Sequence, residues 1–181
     1  CGSTDTANPD LPKCVTDDAG NSTAMRYDAL EDFVPVTPVC FFPFALTVRP
    51  DHPARTFPEF VAWAKGQGNA IPFASPAAGA VPHFLGVMMA KALGVQLTHV
   101  PHRGGAPAIQ GLLGGEVPMV LVVAGEVAEF QRSGQVRILA VSSPERMPRL
   151  PELPTFAELG QPDLTAEEWF GVLLPAQTPE P

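Results

Sequence analysis

At 181 residues the chain is long enough for one well-cored domain, or for one domain with pieces of another. Apolar residues make up 45% of it and charged residues 17%, a globular rather than a disordered composition. Eleven Lys and Arg against 19 Asp and Glu leave a formal charge of −8 with no basic run, which argues against nucleic acid and anionic membrane surfaces as partners. A small anion held by backbone amides is compatible with that charge, because such a site acts locally.

In chain order, residues 1–32 are polar and without sustained period, and irregular structure with a turn of helix at most is expected there. Cys1, Cys14 and Cys40 follow no metal-ligand spacing; their odd number leaves the disulfide state open, a Cys1–Cys14 bridge included. Cys1-Gly-Ser reads as a fragment boundary, with the start of a mature lipoprotein as the alternative. No apolar run reaches the roughly 18 residues of a membrane span, and no signal peptide is visible. Prolines number 22, well above the usual share of about 5%, and they cluster at 35–58, 144–154 and 175–181. Phe33 to Pro43 is apolar yet broken by three of them, as in an extended segment that crosses between units or follows a sheet edge. Ala45–Val48 is a strand candidate.

Thr56-Phe-Pro-Glu59 has the capping-box pattern, and Phe57, Phe60, Val61 and Ala64 then fall on one helical face until Gly66 and Gly68. Ile71 to Gly86 reads as a short buried strand, a turn of small residues from Ser75 to Ala80, and a helix with Pro82 in its first turn. That helix should reach Leu93, with Gly94 closing it. Val95–Val100 alternates as a strand, His102 to Pro107 is a second glycine-containing turn, and a helix follows from Ala108 to Leu113. Val117–Val123 is a strand buried on both faces. A helix from Ala124 to about Arg132 leads to a strand at Val136–Val141. Thr155-Phe-Ala-Glu158 repeats the capping pattern, and Trp169–Leu174 is a last apolar strand. Strand centres near 46, 73, 98, 120 and 139, with helices between, have the cadence of successive βα units in a mostly parallel, doubly wound α/β sheet. The turns at 75–80 and 103–105 both fall at carboxyl ends of strands, where such sheets bind ligands.

A strand–turn–helix with small residues at its junction presents backbone N–H groups at the positive end of a helix, a site for a carboxylate or phosphate; it is equally an ordinary βα connection. His83 would lie within reach of an anion at that turn, or cap and pack locally. Ser75 with His83 raises a nucleophile and base, but the flanks lack the Gly-x-Ser-x-Gly elbow and no acid is placed to orient the histidine. His99 and His102 have no carboxylate or cysteine companion, so they do not make a metal site. Arg103 beside Gly104 adds a fixed positive charge near the same edge, or is a surface arginine.

These motifs resemble the substrate-binding proteins of tripartite tricarboxylate transporters, the Bordetella uptake gene (Bug) family. The resemblance runs through Asn8-Pro9, Tyr27-Asp-Ala-Leu-Glu-Asp-Phe-Val-Pro-Val36, the Ser75–His83 turn with Leu85-Gly86, and His99 to Gly115. It continues in Arg137-Ile-Leu-Ala-Val-Ser142, Arg149 to Gly160, and Trp169-Phe-Gly-Val-Leu-Leu-Pro-Ala176. It implies a periplasmic, non-catalytic, two-lobed binding protein that closes on a small organic acid and docks on membrane permease subunits, without cofactor or metal. The expected fold is a type II periplasmic-binding-protein lobe. Its expected organisation is a first-lobe remnant (1–32), a crossing segment (33–44), the ligand-binding lobe (45–165) and a return strand (166–181). Ser75, Ala77, Ala78, Gly79, Ala80, His83, Arg103, Gly104 and Glu126 are then the expected ligand-contacting residues. The chain departs from the family turn Ser-Ser-Gly-x-Gly-Ser at Pro76, Ala77 and Ala80, while leaving the amides of Ala78, Gly79 and Ala80 available. A Glu126 facing the cleft would repel a second carboxylate. The alternatives are a serine hydrolase using Ser75 and His83, and a truncated relic that binds nothing.

Overall fold

The computed structural model describes residues 15–16, 22–23, 33–175 and 178. Most of the 1–32 segment, with Cys1, Cys14 and the lipoprotein and disulfide expectations placed on them, lies outside the described residues; Cys40 is a free thiol. The chain forms two compact units. The larger is Cys40–Trp169, and the smaller combines Cys1–Val39 with Phe170–Pro181. In the smaller unit, β1 (Val15–Thr16) pairs antiparallel with β2 (Ser22–Thr23).

The main elements are β3 (Phe33–Val48), α1 (Phe57–Lys65), β4 (Ile71–Ser75), α2 (Val81–Leu93), β5 (Leu97–Pro101) and α3 (Gly105–Leu113), then β6 (Met119–Val123), α4 (Ala124–Arg132), β7 (Arg137–Val141) and β8 (Glu167–Pro175). The sheet order is β5-β4-β6-β3-β7, with β8 paired to β3. β4 is parallel to β5 and β6, whereas β3 is antiparallel to both β6 and β7. Four parallel strands therefore hold one reversed strand among them, which keeps the sheet mostly parallel. The cadence of the sequence counted the strand at 46 as one more βα unit, and its direction corrects that reading. β3 is also longer than expected, 16 residues through three prolines. Pairing with β6 begins at Phe44, immediately after Pro43, and pairing with β7 at Ala45. Proline lacks the N–H a central strand must donate, so the prolines all precede that part.

Strand alternation sends side chains to two cores. Phe44, Leu46, Phe73, Met119 and Leu121 pack with Phe57 and Phe60 of α1 and with Leu85 and Met89 of α2. Ala45, Ala74, Val120 and Val122 pack on the other face with Ile109 and Leu112 of α3 and with Val127 of α4. Helices thus cover both faces, the doubly wound arrangement. Local chemistry sets the helix limits. Thr56 caps α1, its Oγ1 accepting from the Glu59 N–H at 3.4 Å, while Glu59 Oε2 accepts from the Arg55 N–H at 2.7 Å. Gly94 closes α2 as expected, and α3 begins at Gly105, three residues earlier than its apolar pattern indicates. The Thr155–Glu158 box forms completely, Thr155 Oγ1 accepting from Glu158 N–H at 3.1 Å and Glu158 Oε2 from Thr155 N–H at 3.0 Å, but it caps a single turn rather than a helix.

This topology fixes where a cleft can form. The chain leaves β4 for α2 on one face, and leaves the adjacent β6 for α4 on the other. The connections diverge at the carboxyl ends of β4 and β6, a topological switch point.

Candidate functional site

The turn from Ser75 to Ala80 forms one wall of that switch point. Ala77, Ala78 and Gly79 are exposed and Ala80 is half-buried. Gly79 has φ +82°, a conformation that disfavours any side chain. Ala80 is the N-cap of α2 but offers no side-chain cap; its carbonyl accepts from the N–H groups of His83 (3.0 Å) and Phe84 (3.2 Å). Among the described residues, the N–H groups of Ala77, Ala78 and Ala80 donate to no protein acceptor. Three open donors beside a 13-residue helix's N-terminus form a local positive potential despite the chain's negative charge.

The Gly79 amide is in a different state. It donates to His83 Nδ1 at 3.1 Å, so it is already engaged, which corrects the expectation that it stands open. His83 in turn lies against His99, ring centroids 4.1 Å apart and 24° from parallel. His99 Nε2 is 2.7 Å from Ser75 Oγ, and Phe73 backs the group, its centroid 5.1 Å from that of His99. Burial first, then the neighbouring imidazoles of His83 and His102, holds His99 below the usual histidine range.

This arrangement disfavours the hydrolase alternative. Ser75 pairs with His99 rather than His83 and is fully buried. Among the described residues, no carboxylate is hydrogen-bonded to either imidazole. A nucleophile needs an exposed oxygen, and Ser75 Oγ is buried, while among the described residues no carboxylate orients His99 as its base. Nor do the described residues contain a cluster of three metal-ligating side chains.

The second loop is stitched to the first. His102 N–H donates to Ser75 O and Gly104 N–H to Pro76 O, both at 3.0 Å. Gly104 has φ +118°, which a side chain would strain, and it is the N-cap of α3. Arg103 is exposed on this loop. Glu126 arrives from the opposite wall, in the first turn of α4. It is exposed as a residue, yet its carboxylate lies so close over Gly105 that a Cβ there would collide with it. That partial desolvation raises its carboxyl above the usual range.

The description of the tripartite tricarboxylate transporter family receptor fits residues 15–181. The chain belongs to that family. Among curated relatives, the protein BugT of Bordetella pertussis is 35% identical over 155 residues, 86% of this chain and 48% of BugT. A solved R. palustris protein with adipate is 30% identical with TM-score 0.76, covering 87% of this chain and 52% of that one. MatC from Rhodopseudomonas palustris with bound malate is 28% identical with TM-score 0.71, covering 81% and 50%. The chain spans about half the length of the curated relatives it matches.

Within this receptor family member, the expected site residues do gather at one sheet edge, on the turn 75–80, the loop 102–105 and the start of α4. The Ser75 hydroxyl is turned inward. His99 is the residue that sequence reasoning passed over. It lacks an acidic or cysteine neighbour in sequence, and its position in the cluster comes from the parallel register that sets it beside Phe73.

Proposed function

We propose that this chain is the second lobe of an extracytoplasmic solute-binding protein that captures a small organic acid for a tripartite transporter. One carboxylate of the ligand sits on the 75–80 turn, where Ala77, Ala78 and Ala80 offer amides and His83 adds a ring donor. Arg103 and Gly104 line the same edge. The observation that carries this reading is the set of three open amides at the switch point of a receptor-family fold. Adipate and malate, named with two structural neighbours, indicate the ligand class. The protein acts in the periplasm without catalysis: ligand favours closure of two lobes, and the closed form docks on membrane permease subunits.

The test is an NMR titration of the isotopically labelled chain with adipate, malate and citrate. Saturable shifts centred on the amides of residues 77–80 and 104 are expected. Unchanged spectra across the three acids and the monocarboxylate ε-aminocaproate, with no rise in melting temperature, would identify a relic that binds nothing.

A further inference from the structure

We infer that Glu126 makes this site selective for carboxylates whose far end carries an ammonium or another hydrogen-bond donor, and against dicarboxylates. The inference rests on the reading of the 75–80 turn as the carboxylate site and names the chemistry of the opposite wall.

Three observations carry it. First, position: the turn 75–80 leads to α2 on one face and Ala124 leads to α4 on the other, so the open amides and Glu126 flank the same switch point from its two sides. The loop between them is tied to the turn through Gly104 N–H to Pro76 O at 3.0 Å. Second, orientation: the Glu126 carboxylate is laid over Gly105 rather than extended along the helix surface, and that placement exists only because residue 105 has no Cβ. Third, among the described residues no ion pair neutralises the charge. The described ion pairs are Arg49–Asp51, Arg132–Glu129 and Arg146–Glu158, and none involves Glu126. Arg103, two residues before Gly105, makes no ion pair with it.

A carboxylate without a protein counter-ion, partly removed from water, disfavours a second negative charge beside it and gains from a positive one. A ligand anchored by one carboxylate on the turn therefore meets an acceptor at its other end. An amino acid with its amine remote from the carboxylate satisfies both ends. Adipate, the ligand named with one neighbour, would set its second carboxylate against Glu126.

The experiment compares two probes of similar length, adipate and ε-aminocaproate, by NMR titration of the full chain at neutral pH. The expected result is half-saturation by ε-aminocaproate at about a tenfold lower concentration than by adipate, equivalent to one factor of ten in affinity. Glu126→Gln should bring the two within about twofold of each other by removing the charge while keeping the shape. Gly105→Ala should act in the same direction by pushing the carboxylate aside. Its φ lies outside the left-handed region, and what a Cβ meets is the end of a flexible side chain. Equal or tighter binding of adipate in the unaltered chain, or a preference that Glu126→Gln leaves unchanged, overturns the inference while the carboxylate site itself stands. If neither probe shifts any amide and adipate, malate and citrate do not either, the carboxylate site fails and the inference with it.

Discussion

Ser75 and His99 are joined side chain to side chain, Oγ to Nε2 at 2.7 Å, between adjacent parallel strands. The pair lies beneath the turn rather than on it, so its role is to hold the turn's floor. Ser75→Ala leaves a half-buried imidazole nitrogen without its partner and should destabilise the chain by about 1–3 kcal/mol. A double-mutant cycle with His99→Ala, read by urea denaturation, should give a coupling of about 1 kcal/mol. A coupling indistinguishable from zero would mean that the two side chains are neighbours without being partners.

His83 acts one layer higher. Its Nδ1 accepts the Gly79 N–H, so the neutral ring carries its proton on Nε2 and keeps a donor for a bound acid. Long-range proton–nitrogen spectra should show the Nε2–H tautomer. His83→Ala should speed hydrogen exchange of the Gly79 amide and cost about 0.5–1.5 kcal/mol. An Nδ1–H tautomer, or an unchanged Gly79 exchange rate in the variant, would contradict the contact.

The half-buried imidazoles of His52 and His99 give stability a definite pH dependence. Burial is the leading cause that lowers both His52 and His99 from the ordinary 6.5. Between those lowered values and about 6.5, the unfolded chain binds more protons than the folded one, so stability falls as pH drops through that window. Glu126 works the other way. Burial raises it from 4.5, so between 4.5 and its raised value the folded chain binds more protons and gains stability on acidification. The melting temperature should therefore decline from pH about 7 towards 5.5. His99→Gln should flatten the decline, and Glu126→Gln should steepen the loss at the acidic end. An unaltered slope in His99→Gln would remove His99 from this account.

Much of this was readable because its causes are local. The boxes at Thr56 and Thr155, the proline in the first turn of α2 and the glycine behind Leu93 each act within a few residues, and α1, α2 and the turn at Thr155 follow from them. The direction of β3 was not readable, since spacing counts strands without orienting them. The site was half readable. The Gly79–His83 contact joins N′ to N3 of one helix, a local reach with histidine accepting where a capping box has glutamate. Ser75–His99 depends on β4–β5 register, and Glu126 over Gly105 depends on two helices meeting after separate crossovers. Neither relation is encoded in a spacing.

A final prediction concerns Gly86, which lies on the buried side of α2 against the ring of Phe73. In an open helix position, Gly→Ala stabilises by roughly 0.5–1 kcal/mol, because alanine loses less backbone freedom and glycine is a poor helix former. Here a Cβ would overlap the Phe73 ring, whose residue is only 1% exposed and sits in the core shared by β4 and α2. The ring has no free space to retreat into, since Met89, Leu85 and Met119 occupy the same core. Overpacking of this kind costs about 1–3 kcal/mol, which outweighs the propensity gain. Gly86→Ala should therefore destabilise the chain, and Phe73→Leu should partly rescue it by making room. The strain would also move the ring that backs His99, so the Ser75–His99 coupling should weaken in Gly86→Ala. Denaturation of the two single variants and the double variant decides the matter: a stabilised Gly86→Ala would show that α2 can lift from the sheet without cost.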